Sequence, residues 1–489
     1  MTARARIRAG CERYVAERIR LCETRSLIGP EGSPLSRGSG ETSLSNPMAV
    51  AKPQMPDHHH SATRTVYTKI SEEGELSMKD KKDFSRREFL KDSAAAGAGL
   101  ALAGGLAPSR VLGANDRIRV GVLGTGQRAQ YLMTLFKRVP STEIVAVCDV
   151  YEPHRDKALG IAGPDAKACL DYREALDLKD VDAVIIGAPD HWHKTMLVDA
   201  VRAGKDVYCE KPIMHSIDEG TEMVRAVEES RRVVQSGMQQ RSWEHYQLGK
   251  HIVDSGKLGR VTFVHTYWYQ NYLTPKGWNE LSETDTSKLD WKRFCGNAPE
   301  QPFTPEKFVW WRFFWDFGGG ILTDLLTHWI DVIQWYMGQT APKTASTTGG
   351  LYLMKWQCPD TITAAYEFPG DFIVTYTGAM NGGIDDGGIE FRGNEATLKI
   401  DRSHLAVYPE GQKSVPGWLA PEPEIFVRSE RDGTADHVKN FLDCVRSRKT
   451  PNAPIQAGFE AARTSWIGNI ALKRGMKVAW DATKNRAVS

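Results

Sequence analysis

Cysteine is scarce in this chain, 8 in 489 residues, and no two form a C-x-x-C pair. That excludes a disulfide-stapled scaffold and a thiolate zinc module. Cys148 in I-V-A-V-C-D and Cys209 in D-V-Y-C-E read instead as small buried apolar groups. Charge of one sign is missing too: 63 Lys and Arg stand against 61 Asp and Glu, a formal net of +2. No field points to nucleic acid or an anionic membrane, and a small neutral partner fits better. Long hydrophobic runs are absent as well. The apolar stretch from Ala94 to Ala107 is too short and too rich in Gly to span a bilayer.

What is present, 41% hydrophobic and 25% charged residues, is the composition of a soluble globular protein with two domains. Residues 1–77, with R-A-R-I-R, H-H-H and a Gly/Ser/Pro-rich stretch from Gly29 to Pro47, cannot bury a core and read as a disordered extension. Translation is expected to start at Met78. Residues 78–114 then carry S-R-R-E-F-L-K and the Ala/Gly-rich stretch, which read as a twin-arginine export signal cleaved after Ala114. The export machinery is therefore an expected partner and the periplasm the expected destination. Folding in the reducing cytoplasm before export agrees with the absence of disulfides.

Residues 115–240 alternate apolar, β-branched runs with segments of helical period. The runs I-R-V-G-V-L, E-I-V-A-V-C-D, D-A-V-I-I-G, D-V-Y-C-E and R-V-V-Q-S-G are too apolar to be half exposed. This is the pattern of an α/β, doubly wound parallel sheet, whose ligands lie beyond the carboxyl ends of its strands. Gly124-Thr125-Gly126-Gln127-Arg128-Ala129 follows the first run, where glycines let a pyrophosphate approach a helix N-terminus. A structural turn would account for that spacing alone. Asp149, closing the second run, adds a carboxylate for ribose hydroxyls. Val150 and Tyr151 offer no cation for a 2′-phosphate, so NAD is favoured over NADP, with Arg155 the one residue against.

Two further stretches, A-P-D-H-W-H from Ala188 and C-E-K-P from Cys209, give the chain a pattern that resembles the Gfo/Idh/MocA family of glucose-fructose oxidoreductase and inositol dehydrogenase. The resemblance covers nearly all of the chain after the signal. It implies a Rossmann domain followed by an α+β domain with a large, mostly antiparallel open sheet that covers the cofactor and packs subunits, hence a dimer or tetramer. It also implies that Lys211 reaches the substrate beside the nicotinamide. Pro189 and His193 would lie near the cofactor, with Glu210 and Gln239 counted among its contacts. Independently, a lysine at the end of a buried strand facing a cationic nicotinamide is expected to lose its proton more readily.

Residues 241–480 change character. A helix from about Trp243 to Ser255 precedes V-T-F-V-H-T-Y-W-Y, T-I-T-A-A-Y-E-F and F-I-V-T-Y-T-G-A-M, which alternate as a half-buried antiparallel sheet does. Between them, G-G-G-I-L-T-D-L-L-T-H-W-I-D places Asp324, His328 and Asp331 on one helical face. The resemblance assigns Asp324 and His328 to the substrate, opposite Lys211; Asp331 reads equally well as a structural partner. These residues with His191 and His193 also have metal-ligand spacing, but the E-K-P lysine and the cofactor motif account for them, and no metal is expected. Aromatics including Trp268, Trp278, Trp310 and Trp311 crowd residues 263–336 near Arg312; such rings suit a polyol's C–H faces, and packing explains any single one equally well. Two amphipathic helices ended by Pro451 and Gly475 close the chain, the first carrying His437.

The reading is thus a sugar or polyol oxidoreductase with catalytic Lys211, Asp324 and His328, Arg312 at the substrate, and a tightly held NAD. An NAD-dependent glycosidase or lyase acting through transient oxidation, and a non-catalytic sugar-binding protein, are the alternatives.

Overall fold

The computed structural model describes residues 117–272, 284–411 and 421–488. The extension, the export segment and Trp278 lie outside them. The first domain runs β1 (Ile118–Leu123), α1 (Gln127–Phe136), β2 (Thr142–Cys148), α2 (Glu152–Ala162), β3 (Lys167–Cys169), α3 (Tyr172–Leu176), β4 (Ala183–Ile186), α4 (Asp190–Arg202), β5 (Asp206–Cys209), α5 (Ile217–Ser230) and β6 (Val234–Ser236). Its six strands are all parallel in the order β3-β2-β1-β4-β5-β6. The order reverses between β1 and β4, so a crevice opens beyond their carboxyl ends at Leu123 and Ile186. Five of the strands coincide with the apolar runs. The sixth, β3, has no such run, because two of its three residues are exposed at the sheet's edge.

Both faces of this sheet are covered, which is why its strands are apolar throughout. Val120 and Val122 of β1 pack with Leu132 and Phe136 of α1 on one face. On the other, Leu123, Val184 and Val207 pack with Leu197 and Val201 of α4.

The second domain begins with α6 (Glu244–Asp254), β7 (Val261–Tyr269), α7 (Trp291–Cys295) and α8 (Pro305–Val309). A π-helical turn (Leu322–Leu326) leads into α9 (Thr327–Met337). Then follow β8 (Thr344–Gly350), β9 (Thr361–Phe368), β10 (Phe372–Ala379), β11 (Gly387–Gly393), β12 (Ala396–Ile400), β13 (His404–Pro409), β14 (Ile425–Arg428), α10 (Thr434–Ser447), α11 (Ile455–Arg474), β15 (Val478–Asp481) and β16 (Arg486–Val488). The ten strands form one open sheet in the order β14-β13-β12-β11-β7-β10-β9-β8-β15-β16, antiparallel except for β7 with β10.

Period-two alternation sorts β7 as its sequence requires. Val264, Thr266 and Trp268 are buried beneath the helices, while Phe263, His265, Tyr267 and Tyr269 stack as a ladder on the outer face. The closing helix α10 crosses back to the first domain. Its Phe441 ring lies 6.0 Å from Phe136 and 5.8 Å from Tyr208, completing the core under the parallel sheet. No helix among the described residues is long and apolar enough to cross a membrane.

Candidate active site

The turn after β1 is built by close approach. Gly124 sits at φ +79, and a Cβ there would fall 2.5 Å from the backbone nitrogen of Ala188 in the turn after β4. Only glycine allows those two turns to touch. Ala129, the last residue of the G-x-G-x-x-A turn, packs against Gly187, where a Cβ would come within 2.8 Å of its methyl. A Cβ on Gly126, by contrast, would meet nothing within 4 Å. That open space is a cradle at the N-terminus of α1 and belongs to a cavity of about 1220 Å³ lined by Gly124, Gly126, Gln127, Arg128, Asp149 and Pro189, with Arg312 at its far wall.

Thr125 turns the other way: it is fully buried, and it donates both its N–H (2.6 Å) and its hydroxyl (3.2 Å) to Asp149 Oδ2. Asp149 Oδ1 accepts from the Tyr151 N–H at 2.8 Å, which leaves that oxygen a further lone pair, and Asp149 lines the cavity. Arg155, the residue that argued for a 2′-phosphate, donates to the Asp149 carbonyl. The open cradle, the carboxylate on its wall and the adjoining helix N-terminus together fit a dinucleotide.

At the end of β5, Glu210 accepts a hydrogen bond from Arg128 Nε at 2.7 Å. Burial pushes the Glu210 carboxyl up, but the Arg128 guanidinium outweighs it and leaves the group below its ordinary range. The second terminal nitrogen of Arg128 is buried without a partner. His193 lies behind this turn, its Nδ1 2.6 Å from the Pro212 carbonyl and its Nε2 2.9 Å from the Ala188 carbonyl. It ties the turns after β4 and β5 together from inside the core and does not line the cavity. Gln239 is buried, and its side-chain oxygen has no partner.

Lys211 crosses the domain boundary. Its Nζ donates to Asp324 Oδ1 at 2.6 Å and to the Asp324 carbonyl at 2.7 Å. Beside the cationic nicotinamide expected for this lysine there is thus an anionic partner. Arg312 Nε reaches the same Oδ1 at 3.3 Å, so one carboxylate serves two cations, and of these three residues Arg312 alone lines the cavity. Burial raises the Asp324 pKa, and Lys211 followed by Arg312 reverse that to hold it below the usual value.

His328 is buried, with its ring stacked on Trp268 at 5.7 Å and 28°. Its Nδ1 lies 3.3 Å from Gln240 Oε1. An amide oxygen only accepts, so Nδ1 carries the hydrogen and Nε2 is left as the basic atom. Burial, then the charges of Lys211, Arg402 and Arg128, hold the imidazole pKa far below its ordinary value. The regular helix expected here is interrupted: Asp324 lies in the π-helical turn and His328 in α9, so the two diverge, Asp324 to Lys211 and His328 to Gln240. Asp331 is the structural partner, held by Arg241 Nε at 2.9 Å to both oxygens. No three His, Cys, Asp or Glu side chains among the described residues converge to hold a metal ion.

The sequence reading did not pick out Asp190, Gln240 and Arg402. Asp190 stands beside Pro189 at the start of α4, and burial, then the nearby Asp324, keep its carboxyl protonated well above the usual range. Only the A-P-D-H-W-H stretch pointed toward it. His437 belongs to the interface between α10 and the first domain, bonded to Ser236 O and Ser242 Oγ, and burial lowers its pKa to about 4. Of the aromatics, Trp310 and Trp311 line the cavity, whereas Trp291 packs on Phe294.

A glycine cradle beyond a parallel sheet, and a lysine from that domain paired with a carboxylate of a second, open-sheet domain, define a two-domain dinucleotide-binding α/β fold. The chain belongs to the Gfo/Idh/MocA oxidoreductase family: residues 118–238 match its NAD-binding Rossmann fold, and residues 250–478 its C-terminal alpha/beta domain. It is 31% identical over 181 residues to inositol 2-dehydrogenase of Salmonella typhimurium, covering 36% of this chain and 54% of that one. The chain thus spans about half the length of that curated relative. A glycosyl hydrolase family 109 protein of Saccharopolyspora erythraea is 36% identical over 178 residues, covering 30% of this chain and 38% of that one. The fold is shared with levoglucosan dehydrogenase in complex with NADH and levoglucosan, at 17% identity and TM-score 0.58 over 74% of this chain and 99% of that one. It is likewise shared with the WlbA dehydrogenase of Bordetella pertussis in complex with NADH and UDP-GlcNAcA, at 18% identity and TM-score 0.57 over 75% and 99%.

Proposed function

We propose that the protein transfers a hydride between a sugar or polyol carbinol and a tightly held NAD. The observation that carries this reading is the meeting of Lys211 from one domain with Asp324 from the other, 2.6 Å apart, beside a neutral His328. NAD, when bound, supplies the hydride acceptor. His328 Nε2 takes the proton from the substrate hydroxyl. Lys211 donates a hydrogen bond to the same oxygen and stabilises the negative charge that grows on it. Asp324 fixes the ammonium, and with Arg312 it presents polar atoms to the neighbouring hydroxyls. The test is the nicotinamide absorbance of the protein as purified, followed by a sugar panel. A Lys211→Met/His328→Asn double variant is expected to keep its NAD and lose hydride transfer; undiminished turnover would refute the assignment.

The 36% identity to a glycosyl hydrolase family 109 protein favours a second reading, in which the sugar is oxidised transiently, cleaved and reduced again. Release of an aglycone without accumulation of NADH distinguishes it from net oxidation.

The S-R-R-E-F-L-K stretch supports export of the folded protein to the periplasm by the twin-arginine route. A cofactor loaded in the cytoplasm would then travel with the chain and be regenerated in place. Loss of export on replacing Arg86 and Arg87 by Lys tests this. The outer ladder of Phe263, His265, Tyr267 and Tyr269, with Ile373 43% exposed beside it, supports self-association into a dimer or tetramer, which light scattering measures.

A further inference from the structure

One guanidinium near the site has no carboxylate within ion-pair distance, Asp386 and Asp432 acting on its charge only from further off. Arg402, in the turn between β12 and β13, places its Cζ 4.6 Å from the centroid of the Trp268 indole and 5.9 Å from that of Trp329. Its neighbour Asp401 does not neutralise it, because that carboxylate is committed to Ser403 and His404. Among the described residues Arg402 forms no ion pair, and its Nε is sealed from water without a partner. The surrounding cations each reach a carboxylate: Arg128 holds Glu210, Arg241 holds Asp331, and Lys211 and Arg312 share Asp324. An arginine stays charged, and a buried charge without a counter-ion is costly.

The position of this charge is informative. The indole beneath Arg402 also stacks on His328, so the unmatched cation stands one ring away from the group that takes the substrate's proton. The sharing of Asp324 between two cations leaves the same region with surplus positive charge. The near-zero net charge of the whole chain suggested a neutral partner, and the site departs from that average.

We propose that Arg402 determines specificity for an anionic substrate, a sugar acid whose carboxylate pairs with the Arg402 guanidinium while a neighbouring carbinol lies against His328 and Lys211. This rests on the oxidoreductase reading and narrows its substrate class. A guanidinium stacked on an indole presents a planar fork of donors, which matches the two coplanar oxygens of a carboxylate.

The experiment compares, on the purified holoenzyme, a set of neutral sugars with the corresponding uronic or aldonic acids and sugar phosphates. kcat/KM for the best acid is expected to exceed that of its neutral counterpart by on the order of 10- to 100-fold, and high salt to compress the ratio. Arg402→Gln should bring the ratio near one and Arg402→Lys should restore part of it. Equal turnover of acid and neutral sugar by the unaltered enzyme, a preference for the phosphate, or an acid preference that survives Arg402→Gln overturns the proposal. If no sugar of any kind reduces the bound NAD, the oxidoreductase reading fails instead. Calorimetric titration of the NADH-loaded protein then decides separately: tighter binding of the acid than of the neutral sugar supports the role of Arg402, and equal binding refutes it.

Discussion

The two walls of the cleft are held by different forces. On the first-domain wall the geometry is set by backbone against backbone: Gly124 touches Ala188, Ala129 touches Gly187, and Gly126 is left bare for a ligand. On the second-domain wall it is set by charges that meet across 113 residues of sequence, Lys211 with Asp324, under a second guanidinium from Arg312. The backbone wall tolerates no added atom at its contact points. The charged wall depends on a balance, since removing Asp324 strips Lys211 and Arg312 of their shared carboxylate, while removing Lys211 leaves Asp324 to Arg312 alone.

Breaking the charged wall is expected to have the largest effect. Lys211→Met should lower kcat/KM by on the order of 10²- to 10⁴-fold while NADH titration stays close to that of the unaltered protein. A parallel loss of NADH affinity would mean that the two walls are not separable. Next in size is the acid response. Burial holds the His437 pKa at about 4 against an ordinary 6.5, so the neutral form stabilises the fold above pH 6.5, and that stabilisation, about 3 kcal/mol, is lost as pH falls through 6.5 toward 4. Melting temperatures of His437→Gln across that window should fall less steeply than those of the parent, the remaining slope coming from the other histidines whose pKa values burial lowers, among them His191, His193, His215, His245 and His328. An identical slope would remove His437 from the account.

Smaller effects sharpen the contrast within the backbone wall. Gly124→Ala should cost about 1–3 kcal/mol of stability, because its φ of +79 and the Ala188 backbone both oppose a Cβ. Gly126→Ala should leave stability level or raise it by about 0.4–1 kcal/mol, yet weaken NADH binding, because the methyl would occupy the cradle and nothing else. Equal destabilisation by the two substitutions would show that the space at Gly126 is not kept for a ligand.

How far the sequence could be read follows from the same division. Five parallel strands were legible because burial on both faces leaves an apolar run; β3 was not, since it is an edge strand with exposed residues. The glycine turn was legible as a cofactor turn only with Asp149 read beside it, while Lys211, Asp324 and His328 were assigned through the family resemblance. Gln240 and Arg402 left no local signal and Asp190 only its place in A-P-D-H-W-H, because each matters through neighbours that folding brings from elsewhere. The π-helical turn that separates Asp324 from His328 was likewise invisible to a count of helical periodicity.

The return of α10 to the parallel sheet has a consequence of its own. The chain leaves the first domain after β6, comes back to place Phe441 against both Phe136 and Tyr208, and departs again past Ala453, whose carbonyl accepts from the Ser236 N–H. Three polypeptide crossings thus lace the lobes together where a single hinge would let them swing. Such a seam resists gaping, and a coenzyme enclosed behind it should escape slowly, over many catalytic cycles.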